Sequence, residues 1–142
     1  SSKDFAKYHP GGALGKKLYL RESDLINSNE KPEVSPTTPI KDVIVEISQK
    51  RLGTTAVVEN KRIVGVITDG DLRRMLKDES DIGVLTAKDI MSKNPKTIDV
   101  DAMAIQALEK MEHNNITQIL VVEGSNYAGV VHLHDLLKEG IL

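Results

Sequence analysis

A single offset of 64 positions lays one stretch of this chain on another, and that repeat constrains the fold more than any other feature. It carries Val57, Val58 and Glu59 onto Val121, Val122 and Glu123, and Gly65 and Val66 onto Gly129 and Val130. It also carries Asp71 and Leu72 onto Asp135 and Leu136, which makes seven identities in one gapless register. Ile44 and Ile47 fall on Leu108 and Met111, and Val34 on Ile98, so the apolar spacing persists where identity lapses. Agreement of this kind marks a duplication rather than two hydrophobic segments alike by chance.

Each copy reads in the same order. A short extended piece, Glu33-Val34 or Thr97-Ile98, precedes a helix with apolar residues at i, i+3, i+4 and i+7. These are Ile40, Val43, Ile44 and Ile47 in the first copy and Ala104, Ala107, Leu108 and Met111 in the second. Thr38-Pro39 and Asp101 are expected to start the helices, and Gly53 and Asn114-Asn115 to end them. Two strands follow, at 55–59 and 63–68, then at 119–123 and 127–132, joined by three polar residues in each copy. A short helix closes each copy, at 71–76 and 135–138. The expected class is α+β, built as β-α-β-β-α twice. One unit of ~45–50 residues buries too little surface to be stable alone, so the copies are expected to pack sheet to sheet about a pseudo-twofold axis.

The rest of the composition narrows the function classes. The 142 residues contain no cysteine, which excludes disulfides, thiolate nucleophiles and cysteine-type zinc sites. The formal charge of −2 argues against a nucleic-acid binder, and no apolar run approaches the ~20 residues of a membrane span. Phe5, Tyr8, Tyr19 and Tyr127 are the only aromatic residues, so the core is aliphatic and almost no ring is left to stack on a base.

The duplicated β-α-β-β-α order, with Gly-Val-Ile-Thr-x-x-Asp-Leu from Gly65 to Leu72, resembles a tandem pair of CBS domains, the regulatory Bateman module. The resemblance covers the chain from about Ser23 onward. The segment Asp4 to Gly15, with His-Pro-Gly-Gly-Ala-Leu-Gly, resembles the end of the sugar-isomerase (SIS) domain of bacterial arabinose-5-phosphate isomerases. The stretches Ile67 to Arg74 and His132 to Leu137 resemble the CBS motifs of the same family. The chain is accordingly expected to divide into residues 1–22, the tail of an SIS domain and a linker, then 23–80 and 81–142, the two CBS motifs.

Thr68 and Asp71 are the leading site candidates. A strand entering a helix N-terminus offers free backbone N–H groups and the positive end of the helix dipole, which suit a phosphate. The Thr68 hydroxyl can donate to that phosphate, and Asp71 can accept two ribose hydroxyls. The resemblance implies this nucleotide-binding role; the plainer reading is a helix cap, and both can hold together. In the second copy His132 replaces the threonine while Asp135 is kept, which leaves that position altered, pH-sensitive or empty. His132, His134 and Asp135 are expected to line the cleft opposite Thr68 and Asp71 rather than to hold a metal. Arg73 or Arg74 can reach an anionic ligand. Asp69 belongs to the same turn, where acidic residues usually compensate the helix dipole. His9, by resemblance part of the isomerase active site, has no catalytic partners in this chain.

The resemblance thus implies a non-catalytic module of an aldose–ketose sugar-phosphate isomerase that interconverts ribulose and arabinose 5-phosphates. The regulatory ligand would be AMP, ATP or CMP-Kdo, with no required cofactor. Its own SIS domain and further copies of itself, as a dimer of CBS pairs within a tetramer, would be its partners, in the cytoplasm. A module serving only assembly is the alternative.

Overall fold

The computed structural model describes residues 20–27, 29–78 and 81–141. His9, Phe5, Tyr8 and the Asp4–Gly15 motif lie outside the described residues. The elements are α1 (Glu22–Ile26), β1 (Glu33–Val34), α2 (Ile40–Lys50), β2 (Thr54–Glu59), β3 (Arg62–Thr68) and α3 (Asp69–Asp78). After a 3-10 turn at Ile82–Val84 come α4 (Ala87–Ile90), β4 (Thr97–Asp99), α5 (Ala104–Asn114), β5 (Gln118–Glu123), β6 (Asn126–His132) and α6 (Leu133–Lys138). There are two three-stranded sheets, ordered β1-β2-β3 and β4-β5-β6. In each, the first strand runs parallel to the second and the second antiparallel to the third. The α+β duplication is therefore present as read.

The repeat extends to irregularities. Both hairpins slip register at the same place, between Val57 and Val58 and between Val121 and Val122, so Val64 and Ala128 are the extra residues of matching bulges. The hairpin turns hold two residues each rather than three. Asn60 and Lys61 both adopt positive φ, 54° and 69°, as a tight turn matching strand twist requires.

Helix boundaries depart from the sequence reading. Pro39, not Thr38, is the N-cap of α2, and Met103, not Asp101, that of α5. Thr38 is engaged by Ser35, whose N–H donates to its hydroxyl at 2.9 Å, while the Asp101 N–H donates to Asp99 Oδ1. Helix α2 ends at Arg51, which takes the left-handed conformation (φ 60°) expected of Gly53; Asn115 (φ 54°) ends α5 as read. The final helices begin two residues earlier than expected, at Asp69 and Leu133.

The short helices α1 and α4 exchange halves. Leu25, with Leu20 and Ile26 beside it, packs into the core of the second half against Ala104, Leu108 and Met111. Ala87, with Ile82, Leu85, Ile90 and Met91, packs into the core of the first half against Ile40, Val43 and Met75. The backbone repeats the exchange. Glu22 N–H donates to Ala102 O and Ala104 N–H to Leu20 O, while Ala87 N–H donates to Thr38 O and Ile40 N–H to Leu85 O. A five-residue helix cannot stand alone in water. Burial of Leu25, 3% exposed, contributes about 1.5–3 kcal/mol toward holding it.

The crossing explains the repeated glycine. A side chain at Gly65 would come within 2.5 Å of Met91 Sδ, and one at Gly129 within 3.2 Å of Ile26 Cβ. Each exchanged segment thus passes over the bare backbone of the other half's edge strand. A third cluster, Ala56, Leu120, Tyr127 and Val130, joins the sheets.

Candidate functional site

Each copy places its candidate residues where the last strand runs into the last helix. In the first half, Thr68 ends β3 and Asp71 lies in the opening turn of α3. Thr68 N–H donates to Asp71 Oδ2 at 2.9 Å, and Asp71 N–H points back to Thr68 Oγ1 at 3.3 Å. This is a reciprocal cap, so the plainer reading of the Thr-x-x-Asp spacing is realised. The cap uses one carboxylate oxygen. The other, Oδ1, accepts from Arg74 Nη2, whose side chain is 69% exposed. The pair is open to solvent on its arginine side, while the Asp71 side chain is 9% exposed, so another donor reaches Oδ1 by displacing Arg74. A diol can therefore take Asp71 Oδ1 and free Arg74 for an anion.

Arg74, not Arg73, joins the site; Arg73 is exposed. The space beside Gly70 is taken by the Arg74 side chain: a Cβ there would begin 3.5 Å from both Thr68 Oγ1 and Arg74 Nη1, so the approach to Thr68 opens when Arg74 swings away. Asp69 is exposed, and its N–H donates to Gly53 O. A side chain at Gly53 would meet Asp69 Oδ2 at 3.2 Å and Gln118 Nε2 at 2.9 Å, so the glycine makes room for both. Beside Asp71 lies a cavity of 180 Å³ lined by Asp71, Arg74, Met75, Asp78 and Ile90. That is smaller than the ~300 Å³ at which small-ligand pockets usually begin. It can receive part of a nucleotide, with the remainder outside.

The second half is built from different groups. His132 Nδ1 accepts the His134 N–H at 3.0 Å, and the two rings stack with centroids 4.8 Å apart. Burial, and then the neighbouring His134, lower the His132 pKa, while Asp135 opposes them. Neutral His132 keeps Nδ1 as an acceptor, which leaves Nε2 to donate. Asp135, 9% exposed, accepts from His132 N–H at 2.7 Å and from Asn29 Nδ2 at 2.8 Å, both at Oδ2. No hydrogen bond among the described residues joins this group to Thr68 or Asp71. Instead Gln118, the ladder partner of His132, reaches Leu52 O at 2.9 Å. No group of three or more His, Cys, Asp or Glu among the described residues could hold a metal.

Two further cavities went unread in the sequence. One, of 410 Å³, is bordered by Glu33, Asp42 and Glu46, whose carboxylates repel an anionic ligand. The other, of 290 Å³, is lined by Lys31, Glu33, Val58, Lys61, Asn126 and Tyr127. Lys31 Nζ sits 5.1 Å above the Tyr127 ring there. Tyr127 is buried and donates its hydroxyl to Pro32 O, so it offers no face at Thr68 and Asp71. Among the described residues no helix is long and apolar enough to cross a membrane.

The CBS domain family matches residues 23–78 and again 87–141. The chain is a tandem pair of CBS domains. Solved CBS structures share this architecture. A CBS domain protein of Pyrobaculum aerophilum, solved in complex with AMP, superposes with a TM-score of 0.75 at 26% identity over 86% of this chain and 98% of its own. Another CBS structure gives 0.77 at 15% identity, again over 86% of this chain and 98% of the other.

The sequence relatives are arabinose 5-phosphate isomerases named KdsD. That of Francisella tularensis is 49% identical over 140 residues, 97% of this chain and 43% of the relative. That of Escherichia coli K12 is 38% identical over 144 residues, all of this chain and 44% of the relative. The CBS pair thus spans well under half the length of these relatives.

Proposed function

We propose that this CBS pair is the regulatory ligand-binding part of an arabinose 5-phosphate isomerase and is not itself catalytic. The observation that carries the reading is the open turn at Thr68 and Asp71 in a chain whose whole length matches KdsD proteins. The ligand is a nucleotide or nucleotide sugar, with AMP, ATP and CMP-Kdo as candidates; the AMP complex of the Pyrobaculum aerophilum protein supports the first. Its ribose hydroxyls meet Asp71, its phosphate meets the Thr68 hydroxyl and the α3 N-terminus, and Arg74, once displaced, turns to the phosphate. Asp69 and Arg73 border this turn, while His132, His134 and Asp135 form the corresponding second position. With Tyr127 engaged elsewhere, the base is held by backbone and aliphatic groups. In the cell, the pair works in the cytoplasm beside its own SIS domain, and the parent interconverts ribulose and arabinose 5-phosphates for Kdo synthesis.

Titration calorimetry of the chain with AMP, ATP, CMP and CMP-Kdo tests the proposal. Binding tighter than millimolar that is lost in D71A is expected; heats absent for all four ligands would defeat the sensing role.

A reading as an assembly module has its own support in exposed apolar side chains on three helices, Val45 (49%), Leu76 (59%) and Leu137 (49%). Sedimentation decides it: a dimer of CBS pairs is expected, and a monomer at high concentration excludes it.

A further inference from the structure

The second position already holds two donors. Asn29, in the segment between α1 and β1, gives one Nδ2 hydrogen to Asp135 Oδ2 at 2.8 Å and the other to Val130 O at 2.9 Å. A carboxylate and a carbonyl converge on this point, and both only accept. What satisfies them is an uncharged group with two donors side by side, which is the description of a carboxamide and equally of a vicinal diol. The space that Gly70 leaves over Thr68 belongs here to His134, stacked on His132.

The corresponding contact in the first half leaves Asp71 alone. There the edge strand is met by backbone, Val66 N–H to Ser92 O at 3.0 Å and Ser92 N–H to Val66 O at 2.9 Å. Among the described residues no hydrogen bond runs from that crossing segment to Asp71; Ile90 lines the cavity beside it, and the second oxygen accepts from the exposed Arg74. The first position opens by the swing of one side chain. The second opens only if Asn29, and with it the chain between α1 and β1, moves.

We infer that Asn29 is an internal occupant of the second position, so that the pair takes one ligand with vicinal hydroxyls, at Asp71, and the Asn29–Asp135 bond fastens residues 20–31 to the second half. The one-ligand clause rests on the nucleotide-binding reading above; the fastening does not.

The test is run on the full chain with AMP as the probe. Calorimetry of the wild type is expected to give one site, abolished by D71A, and N29A a second, weaker one. Two sites in the wild type, or one site still in N29A, would overturn the inference. Amide hydrogen exchange without nucleotide gives an independent reading. Loss of hydrogen bonds to a buried carboxylate should speed exchange across residues 20–31 of N29A at least about tenfold, with Val66 and Ser92 unchanged. Equal rates would overturn the fastening even where AMP binds. If AMP binds neither protein, the nucleotide reading fails, and the exchange rates alone decide whether Asn29 holds the segment.

Discussion

The two halves share a topology, a bulge and a crossing glycine, yet they differ in how their final turns are closed. In the first, Thr68 and Asp71 cap each other, and one exposed arginine covers both the remaining oxygen and the space beside Gly70. In the second, stacked imidazoles and a carboxamide from 106 residues away fill the same place. Duplication supplies two equal scaffolds. Substitution at a few positions, Thr68 against His132 and Gly70 against His134, then leaves one aspartate closed by a single exposed side chain and ties the other to a distant segment.

That contrast can be broken most directly by removing the two aspartates in turn. D135A removes the partner of the half-buried His132 N–H and one of the two partners of the Asn29 amide, at a cost of about 2–3 kcal/mol. D71A removes a helix cap whose second oxygen holds only an exposed arginine, at ~1 kcal/mol. Urea denaturation of both variants compares them, and equal losses would show that the halves are alike after all.

A second asymmetry lies at Glu22, fully buried with both carboxylate oxygens unpartnered, where the exchanged helix of the other half carries Ala87. Burial raises its pKa from 4.5 to about 8. The proton it binds on folding therefore stabilises the fold in full below pH 4.5, and that contribution is lost as pH rises through about 8. The ionisable residues of α5, Glu109, Lys110, Glu112 and His113, are all exposed, and neither Glu22 oxygen has a hydrogen-bond partner. E22A, copying Ala87, should raise stability at pH 8 by ~1–3 kcal/mol and flatten the alkaline fall in Tm. A melting curve as steep in pH as that of the wild type would locate the proton elsewhere.

The smallest and sharpest change gives the first half the closure of the second. G70H puts an imidazole over Thr68 at a position whose backbone accepts a side chain. Nucleotide affinity should fall at least about tenfold, about 1.4 kcal/mol, with Tm nearly unchanged. Retained affinity would mean that the open turn is not the binding site.

Much of this was legible because periodicity and repetition are local. The strands, the amphipathic α2 and α5, and the pairing of Asp71 with Asp135 follow from spacing alone. The caps were harder: Thr38 and Asp101 have the right chemistry, but the helices start after Pro39 and Met103, and Arg51 accepts a conformation usually left to glycine. Helices α1 and α4, at five and four residues, are too short to show a period. Asn29 sits among polar neighbours that read as a loop, and nothing near it in the sequence points to Asp135. Glu22 gives no sign of burial in the sequence, because only the exchange buries it. Gly65 and Gly129 stood out as a matched pair, but their reason, the passage of Met91 and Ile26, is visible only in three dimensions.

The exchange of α1 and α4 also sets an order of assembly during synthesis, when a chain emerges from its N-terminus. The first half lacks part of its core until Ala87 to Met91, which follow it in sequence, have left the ribosome. Leu20, Leu25 and Ile26 emerge ahead of both sheets but have nowhere to bury until Ala104 to Leu136 follow. The first apolar residues described in the pair thus find their place among its last, and stay uncovered while the residues between them are made.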